Sequence, residues 1–351
     1  MNHFFDNVKI ENFKSLRHVE LTDCKRINVF IGKPNVGKSN ILEALSLFSL
    51  CHNQGVTRGI NPLRWYVRYE NETELFFNGK AEENNTIKIQ TNLADCKISF
   101  SNSGDLTISV LSEGIKSDIT LQTDDLGFLT IVKYLQLYIH SFNKVKKYTF
   151  DYDQQLKVAR GKNTSTRLRL PFLTPPFGNN LMQVIEQNST LSEECIEFFK
   201  RYNLDLVFDK ASNTLKIMKA TKNGKEGIPR IFLLPYSSVA DTLQRIIFYK
   251  TAIASNKDSI LLFEEPEAHA FPPYIVHVTQ EMIWSKENQF FLTTHSPFVL
   301  NDFLENARED LAVYLVDWQD GETTVKRLSD ADLHDIYQYG VDIFTNLETF
   351  I

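Results

Sequence analysis

Apolar and polar residues alternate along "VKIENFKSLRHVELTDCKRINVFI" (8–31), a stretch rich in β-branched types. This pattern predicts two or three short strands. Its last segment, "INVFI" (27–31), is a continuous apolar run, as expected of a strand buried on both faces of a parallel sheet. The period then changes. In "NILEALSLFSL" (40–50), Ile41, Leu42, Leu45 and Phe48 share one helical face. Residues 70–125 alternate irregularly between turn signals such as "NGK", "ENN" and "SNSGD" and predict an antiparallel meander. "GFLTIVKYLQLYIHSF" (127–142) fits either a helix or strands.

Pro171, Pro175 and Pro176 interrupt regular structure and mark the entry to a helical insertion. "LMQVIEQN" and "SEECIEFFKRYN" predict helices, the second capped by Ser192. "LDLVFDKASNTLKIMKATKNGKEG" predicts a hairpin, and residues 238–256 a long amphipathic helix. "SILLF" (259–263) and "QFFLTTH" (289–295) predict two more buried strands flanking a helix. Residues 311–328 form a hairpin signal around Asp320-Gly321. The expected division is an N-terminal lobe (1–168), a helical and hairpin insertion (169–230) and a C-terminal lobe (231–351).

Composition changes this picture little. The 351 residues, 42% apolar and 23% charged, are those of an ordinary globular protein. No apolar run approaches the about 18 residues of a membrane span, and the N-terminus has no export-signal pattern. Cys24, Cys51, Cys96 and Cys195 are scattered, as free thiols of a cytoplasmic protein would be. The net charge of −6 excludes a globally basic polyanion binder, yet residues 133–169 carry nine Lys/Arg against two Asp. That segment reads either as a solvated surface or as a contact for the phosphate backbone of DNA.

Chemistry enters with "GKPNVGKS" (32–39), a G-x4-GK-S loop between a predicted buried strand and a predicted helix. Such a loop converges backbone N–H groups on a phosphate, and the helix N-terminus adds its unpaired donors. Gly32, Lys33, Pro34, Asn35, Val36, Gly37, Lys38, Ser39 and Asn40 are therefore candidate nucleotide-binding residues. Lys38 is placed to reach the β- and γ-phosphates, and the Ser39 hydroxyl to ligate Mg²⁺. A guanine-selecting N-K-x-D is missing: "NKDS" (256–259) and "NKVK" (143–146) both fail the spacing.

"ILLFEEPEAH" (260–269) ends a buried strand in two carboxylates. Glu264 is the candidate ligand to a metal-bound water. Glu265, pointing the other way in an extended chain, is the candidate base for the attacking water. "FFLTTHSP" (290–297) ends a third strand in His295, a candidate γ-phosphate sensor.

Together "IENFKSL", "GKSNILEAL", "LLFEEPEAH" and "THSP" resemble the ATP-binding-cassette type ATPases of the SMC/RecF/OLD group, in particular the short bacterial AAA-family proteins related to OLD nucleases. The resemblance implies an α/β P-loop NTPase fold: an ABC-ATPase-like head with a mixed or parallel central sheet, an antiparallel β subdomain and a helical insertion. It implies ATP and Mg²⁺ as cofactors, slow ATP hydrolysis, and a head-to-head dimer or higher oligomer. In that dimer each site is completed by a signature helix of the other subunit. The matching stretch here is "SSVADTLQR" (237–245), which puts Ser238 and Asp241 forward as trans contacts. Ala240 and Thr242 stand where the pattern has serine and glycine. The pattern also has a metal-reaching glutamine, for which Gln90 and Gln136 are the candidates. Only 51 residues follow "THSPFVL", too few for the OLD nuclease domain, so an effector is expected on a separate chain. The implied function is an ATP-driven switch in phage defence or DNA maintenance, controlling DNA contact or that effector. The alternative is an ATP-binding scaffold with little hydrolysis.

Overall fold

The computed structural model describes residues 4–52, 61–81, 85–100, 105–112, 115–123, 129–134, 144–151, 170–221 and 230–350. The chain divides into two compact units: Met1–Lys147 with Asp258–Pro266 and Met282–Ile351, and Tyr148–Lys257 with Glu267–Glu281.

The first unit is built on two sheets. One runs antiparallel, in the order β2-β1-β4-β5-β6-β7-β8. Its strands are β1 (Val8–Phe13), β2 (Leu16–Leu21), β4 (Ile87–Thr91), β5 (Asp95–Phe100), β6 (Leu106–Ser112), β7 (Ile115–Thr123) and β8 (Leu129–Tyr134). Alternation places Val8, Ile10, Ile87, Ile89, Ile98 and Ile108 inward, the period-2 pattern of a sheet with one buried face.

The other sheet is mixed, in the order β16-β15-β3-β14-β13-β9. It comprises β3 (Ile27–Ile31), β9 (Val145–Tyr148), β13 (Ile260–Glu264), β14 (Gln289–Thr293), β15 (Leu311–Gln319) and β16 (Glu322–Arg327). All residues of β3 and β14 are buried, which explains their unbroken apolar runs. β13, β14, β3 and β15 run parallel, while β16 folds back on β15 through Asp320-Gly321, both at positive φ. Helix α1 (Lys38–Ser46) packs on β13, β14 and β1. Ile41, Leu42, Leu45 and Phe48 join the core shared by both sheets.

The second unit holds α2 (Leu181–Gln187), α3 (Ser189–Lys200), a three-stranded antiparallel sheet and α4 (Asp241–Ala254). Its strands are β10 (Asp205–Asp209), β11 (Thr214–Thr221) and β12 (Arg230–Pro235). β12 was not foreseen, and it extends the expected hairpin by one strand. The cap of α3 is Asn188, whose side chain accepts from the Leu191 N–H; Ser192 lies inside the helix, one turn later than expected of a cap. Helix α5 (Pro272–Trp284) fills the predicted helical stretch between β13 and β14. Two further helices, α6 (Pro297–Asn306) and α7 (Asp330–Tyr339), complete the first unit.

Candidate functional site

Strand register creates the site. In the parallel ladders Phe30 pairs with Thr293, and Thr293 with Glu264. The residues that leave these strands therefore emerge together at one edge of the sheet: Gly32 after β3, Glu265 after β13, His295 after β14. This is the carboxyl edge, where parallel sheets place their ligand crevices.

The loop from Gly32 is held from outside. A Cβ on Gly32 would stand 2.1 Å from the Val316 carbonyl oxygen, and one on Gly37 (φ 103°) 2.1 Å from Thr323 Oγ1. Thr323 Oγ1 donates to the Val36 carbonyl at 2.8 Å, and Asn40 Nδ2 donates to Ser15 Oγ at 2.7 Å. The β15–β16 hairpin and the β1–β2 turn thus clamp the loop at positions only glycine fits. Asn35 supplies a further positive φ of 62°. The start of α1 has neither a side-chain cap nor an acidic first turn, so its leading N–H groups face the cleft as an anion site.

Lys38 crosses the loop and donates to the carbonyls of Gly32 (2.9 Å) and Lys33 (2.7 Å). Burial lowers its pKa, opposed by the charge of Glu265. The Lys33 ammonium turns away to Glu348 at 3.0 Å, leaving only its backbone to the loop. Pro34, Asn35 and Gly37 to Asn40 share a cleft of about 410 Å³ with Arg68, Glu265 and His295.

Glu264 and Glu265 occupy different environments. The Ser39 hydroxyl lies close enough to Glu264 to favour its charged form. Burial works against its ionisation, but the Lys147 charge, Ser39 and Arg68 together outweigh burial and hold the carboxyl below its ordinary value. Glu265 departs from the extended conformation expected for it: its φ is 43°, in the left-handed region. Its N–H is anchored to Thr293, at 3.1 Å from the carbonyl and 3.2 Å from Oγ1. This kink, not strand alternation, parts the two carboxylates. Glu265 Oε1 lies 3.4 Å from His295 Nε2. Burial and the Lys38 charge lower the His295 pKa, with Glu265 opposing.

A charge network behind Glu264 was not legible in the motifs. Arg68 Nη2 donates to Glu264 Oε1 at 2.9 Å, and its Nε donates to Glu43 Oε1 at 2.7 Å. Glu43, on α1 and fully buried, also pairs with Lys14. Lys147 Nζ lies 3.9 Å from Glu264 Oε2 and donates to the Tyr66 carbonyl at 2.9 Å. Arg68 sits in "YVRYEN", which matches no motif. Glu43 is four residues past Ser39, so helical spacing alone could have flagged it as facing the same side.

The basic segment needs correction at two positions. Lys146 and Lys147 are buried, and Lys146 Nζ bonds Ser259 Oγ at 2.8 Å, so neither is available to DNA. Residues 135–143 and 152–169 lie outside the described residues, as does Gln136. Gln90 is exposed on β4, paired across to Lys9 and Asp95, and is not among the cleft residues.

Ser238 and Asp241 belong to the second unit, at the approach to α4 and at its first residue. Asp241 pairs with Arg245 at 2.7 Å, and Thr242 Oγ1 donates to the His269 carbonyl at 3.1 Å. Ala240 at the N-cap offers no hydroxyl.

Ser39 and Glu264 present two neighbouring hard oxygen donors, a donor pair that suits Mg²⁺. Together with the uncapped α1 terminus and Lys38, they fit a nucleotide with its metal. No group of three or more His, Cys, Asp or Glu side chains forms a metal cluster among the described residues.

A clamped phosphate loop, a strand-end carboxylate pair and a strand-end histidine on this sheet define a P-loop ATPase head of the SMC/RecF type, with the ABC-ATPase fold. Within that class the chain belongs to the AAA ATPase domain family AAA_15, whose model matches residues 4–227. A second model, described as an AAA domain, putative AbiEii toxin, Type IV TA system, matches residues 200–301. In sequence the chain is 22% identical over 231 residues to the DNA replication and repair protein RecF of Clostridium tetani, covering 62% of this chain and 61% of that protein. It is 36% identical over 84 residues to the uncharacterized protein MJECL10 of Methanocaldococcus jannaschii, covering 20% of this chain and 38% of that protein. The matches thus span less than two thirds of those relatives' lengths. Its fold resembles an SMC head solved bound to the C-winged helix domain of ScpA, with a TM-score of 0.51 at 16% identity, covering 93% of this chain and 98% of that one.

Proposed function

We propose that this chain is an ATP-driven switch that binds and slowly hydrolyses ATP. The observation that carries the reading is the meeting of the clamped loop, Glu264, Glu265 and His295 at one sheet edge. In this reading the backbone N–H groups of Asn35 to Asn40 hold the phosphates, and Lys38 gives up its loop carbonyls for the β- and γ-phosphate oxygens. Ser39 and Glu264 hold the metal, which when bound neutralises charge on the phosphate oxygens. Glu265, kinked out of the strand, orients and deprotonates the attacking water. His295, kept neutral near pH 7 by burial and Lys38, donates to the terminal phosphate and reports on it to Glu265, its 3.4 Å neighbour.

The reading extends to a head-to-head dimer in which Ser238 and Asp241 reach across to the opposing nucleotide. DNA maintenance is favoured by the likeness to a protein named for replication and repair, and phage defence with a separate effector by the toxin-related model at 200–301. DNA contact would fall to basic residues of 133–169 other than Lys146 and Lys147.

A second reading is supported by the signature stretch: Ala240 has no hydroxyl and the Thr242 hydroxyl is committed to His269. There the chain binds ATP and assembles with a partner, with negligible turnover. Phosphate release by wild type and Glu265→Gln separates the two. Turnover lost in Glu265→Gln supports the switch; two equally inactive proteins that both bind ATP support the scaffold. A wild type that binds no ATP, or a Lys38→Ala variant that binds it undiminished, refutes both.

A further inference from the structure

The Glu264 carboxylate is surrounded by more positive charge than a metal ligand needs. Strand β9 lies beside β13, and this places Lys147 next to the end of the acidic strand. Lys147 is buried there. Burial lowers the pKa of Lys147, and the charges of Glu264, at 3.9 Å, and Glu43 oppose that shift and favour the ammonium. On the other carboxylate oxygen sits the Arg68 guanidinium, at 2.9 Å. Arg68 is not a loose surface group, because Glu43 fixes its Nε, and Lys14 in turn completes Glu43. The five groups Lys14, Glu43, Arg68, Lys147 and Glu264 therefore comprise three cations and two carboxylates, with one net positive charge. Such a cluster attracts a polyphosphate and disfavours an added divalent cation.

We infer that Lys147 and Arg68 are fixed cations sharing the Glu264 carboxylate with the metal, so that this cleft binds ATP with little dependence on Mg²⁺. Both are positioning residues: they hold Glu264 and set how much of its charge is left for a divalent ion. The inference rests on the reading of the cleft as an ATP site. It goes beyond that reading in naming metal-free ATP as a ligand the site accepts nearly as well as the magnesium complex.

The test is a fluorescence titration of the full chain with mant-ATP, in excess Mg²⁺ and in excess EDTA. The readout is the ratio of the two Kd values, in which any general loss of affinity cancels. For wild type the two values agree within about threefold, and Lys147→Gln separates them by about tenfold or more, the size expected when one unit charge leaves a carboxylate's side. Lys147→Arg, which keeps the charge, retains the wild-type ratio. Because Lys147 is buried, Arg68→Gln provides a second arm at a side chain that is 68% exposed, with the same direction expected. A wild type that needs Mg²⁺ for most of its affinity overturns the inference, as does a ratio unmoved in the folded Gln variants. Absence of mant-ATP binding in both media is a different result: it refutes the ATP reading itself.

Discussion

Replacing Glu43 with alanine tests the charge network where its energetics are most unequal. Glu43 has no solvent exposure and holds two cations, Lys14 and Arg68. The Lys14 side chain is only 14% exposed, so its bond to Glu43 is a charge-assisted contact worth about 1.5–3 kcal/mol net. Arg68 is mostly in water, and screening reduces its share to about 1 kcal/mol or less. Breaking a fully buried pair costs about 3–5 kcal/mol because the survivor is stranded. Here the survivors are not stranded: Lys14 keeps the Arg68 carbonyl at 2.6 Å, and Arg68 keeps Glu264. The expected cost of Glu43→Ala is thus about 2–4 kcal/mol. Urea denaturation of Glu43→Ala, Lys14→Met, Arg68→Met and the two double variants gives both coupling energies. The Lys14–Glu43 coupling should exceed the Arg68–Glu43 coupling. A Glu43→Ala cost below about 1 kcal/mol, or an Arg68 coupling larger than that of Lys14, refutes the reasoning.

Gly37→Ala is expected to cost more than about 2 kcal/mol, since it adds a positive-φ penalty of about 1–2 kcal/mol to a clash with Thr323. Adding Thr323→Ala removes the atoms at 2.1 and 2.9 Å and should recover part of the loss in a thermal melt; no recovery would place the strain elsewhere. Burial pushes the thiol of Cys24 up to about 11 and those of Cys96 and Cys195 up to about 12. Ellman's reagent should therefore react quickly with at most one of the four cysteines in the native protein and with all four after unfolding; two or more fast thiols would contradict this burial. The Glu264 carboxyl is held below the usual 4.5 of glutamate. Its contribution to stability is present above about pH 4.5 and is lost as pH falls through the lower folded value. Glu264→Gln should flatten the acid limb of the stability profile, and an unchanged limb would show that the pairing with Lys147 and Arg68 is not stabilising.

The sequence made five of the six strands of the P-loop sheet legible because each carried a local signal; β9, the short and lysine-rich "VKKY", carried none. β3, β13 and β14 are unbroken apolar runs, and their final residues carry the loop, the carboxylates and the histidine. β12 escaped because "RIFLLP" lies at a sheet edge with Ile231, Phe232 and Leu233 exposed, so alternation never marked it. The Ser192 cap failed because Asn188 competes for the same role one turn earlier and takes it. Lys147 was misread for a general reason: a lysine's charge is visible in the sequence and its burial is not.

What the sequence determined by itself was most of the cleft lining: Pro34, Asn35, Gly37 to Asn40, Glu265 and His295. Those residues follow buried strands, and parallel pairing delivers strand ends to a common edge. Only the tertiary structure decided what surrounds them. Arg68 joins Glu43 to Glu264 across 25 and 196 residues of chain, and Lys147 approaches Glu264 from β9. The kink at Glu265 likewise depends on Thr293 of the neighbouring strand. Electrostatic environment is a property of three-dimensional neighbours, so the lowered pKa of Glu264 emerges only once β9 lies beside β13 and Arg68 is pinned to α1.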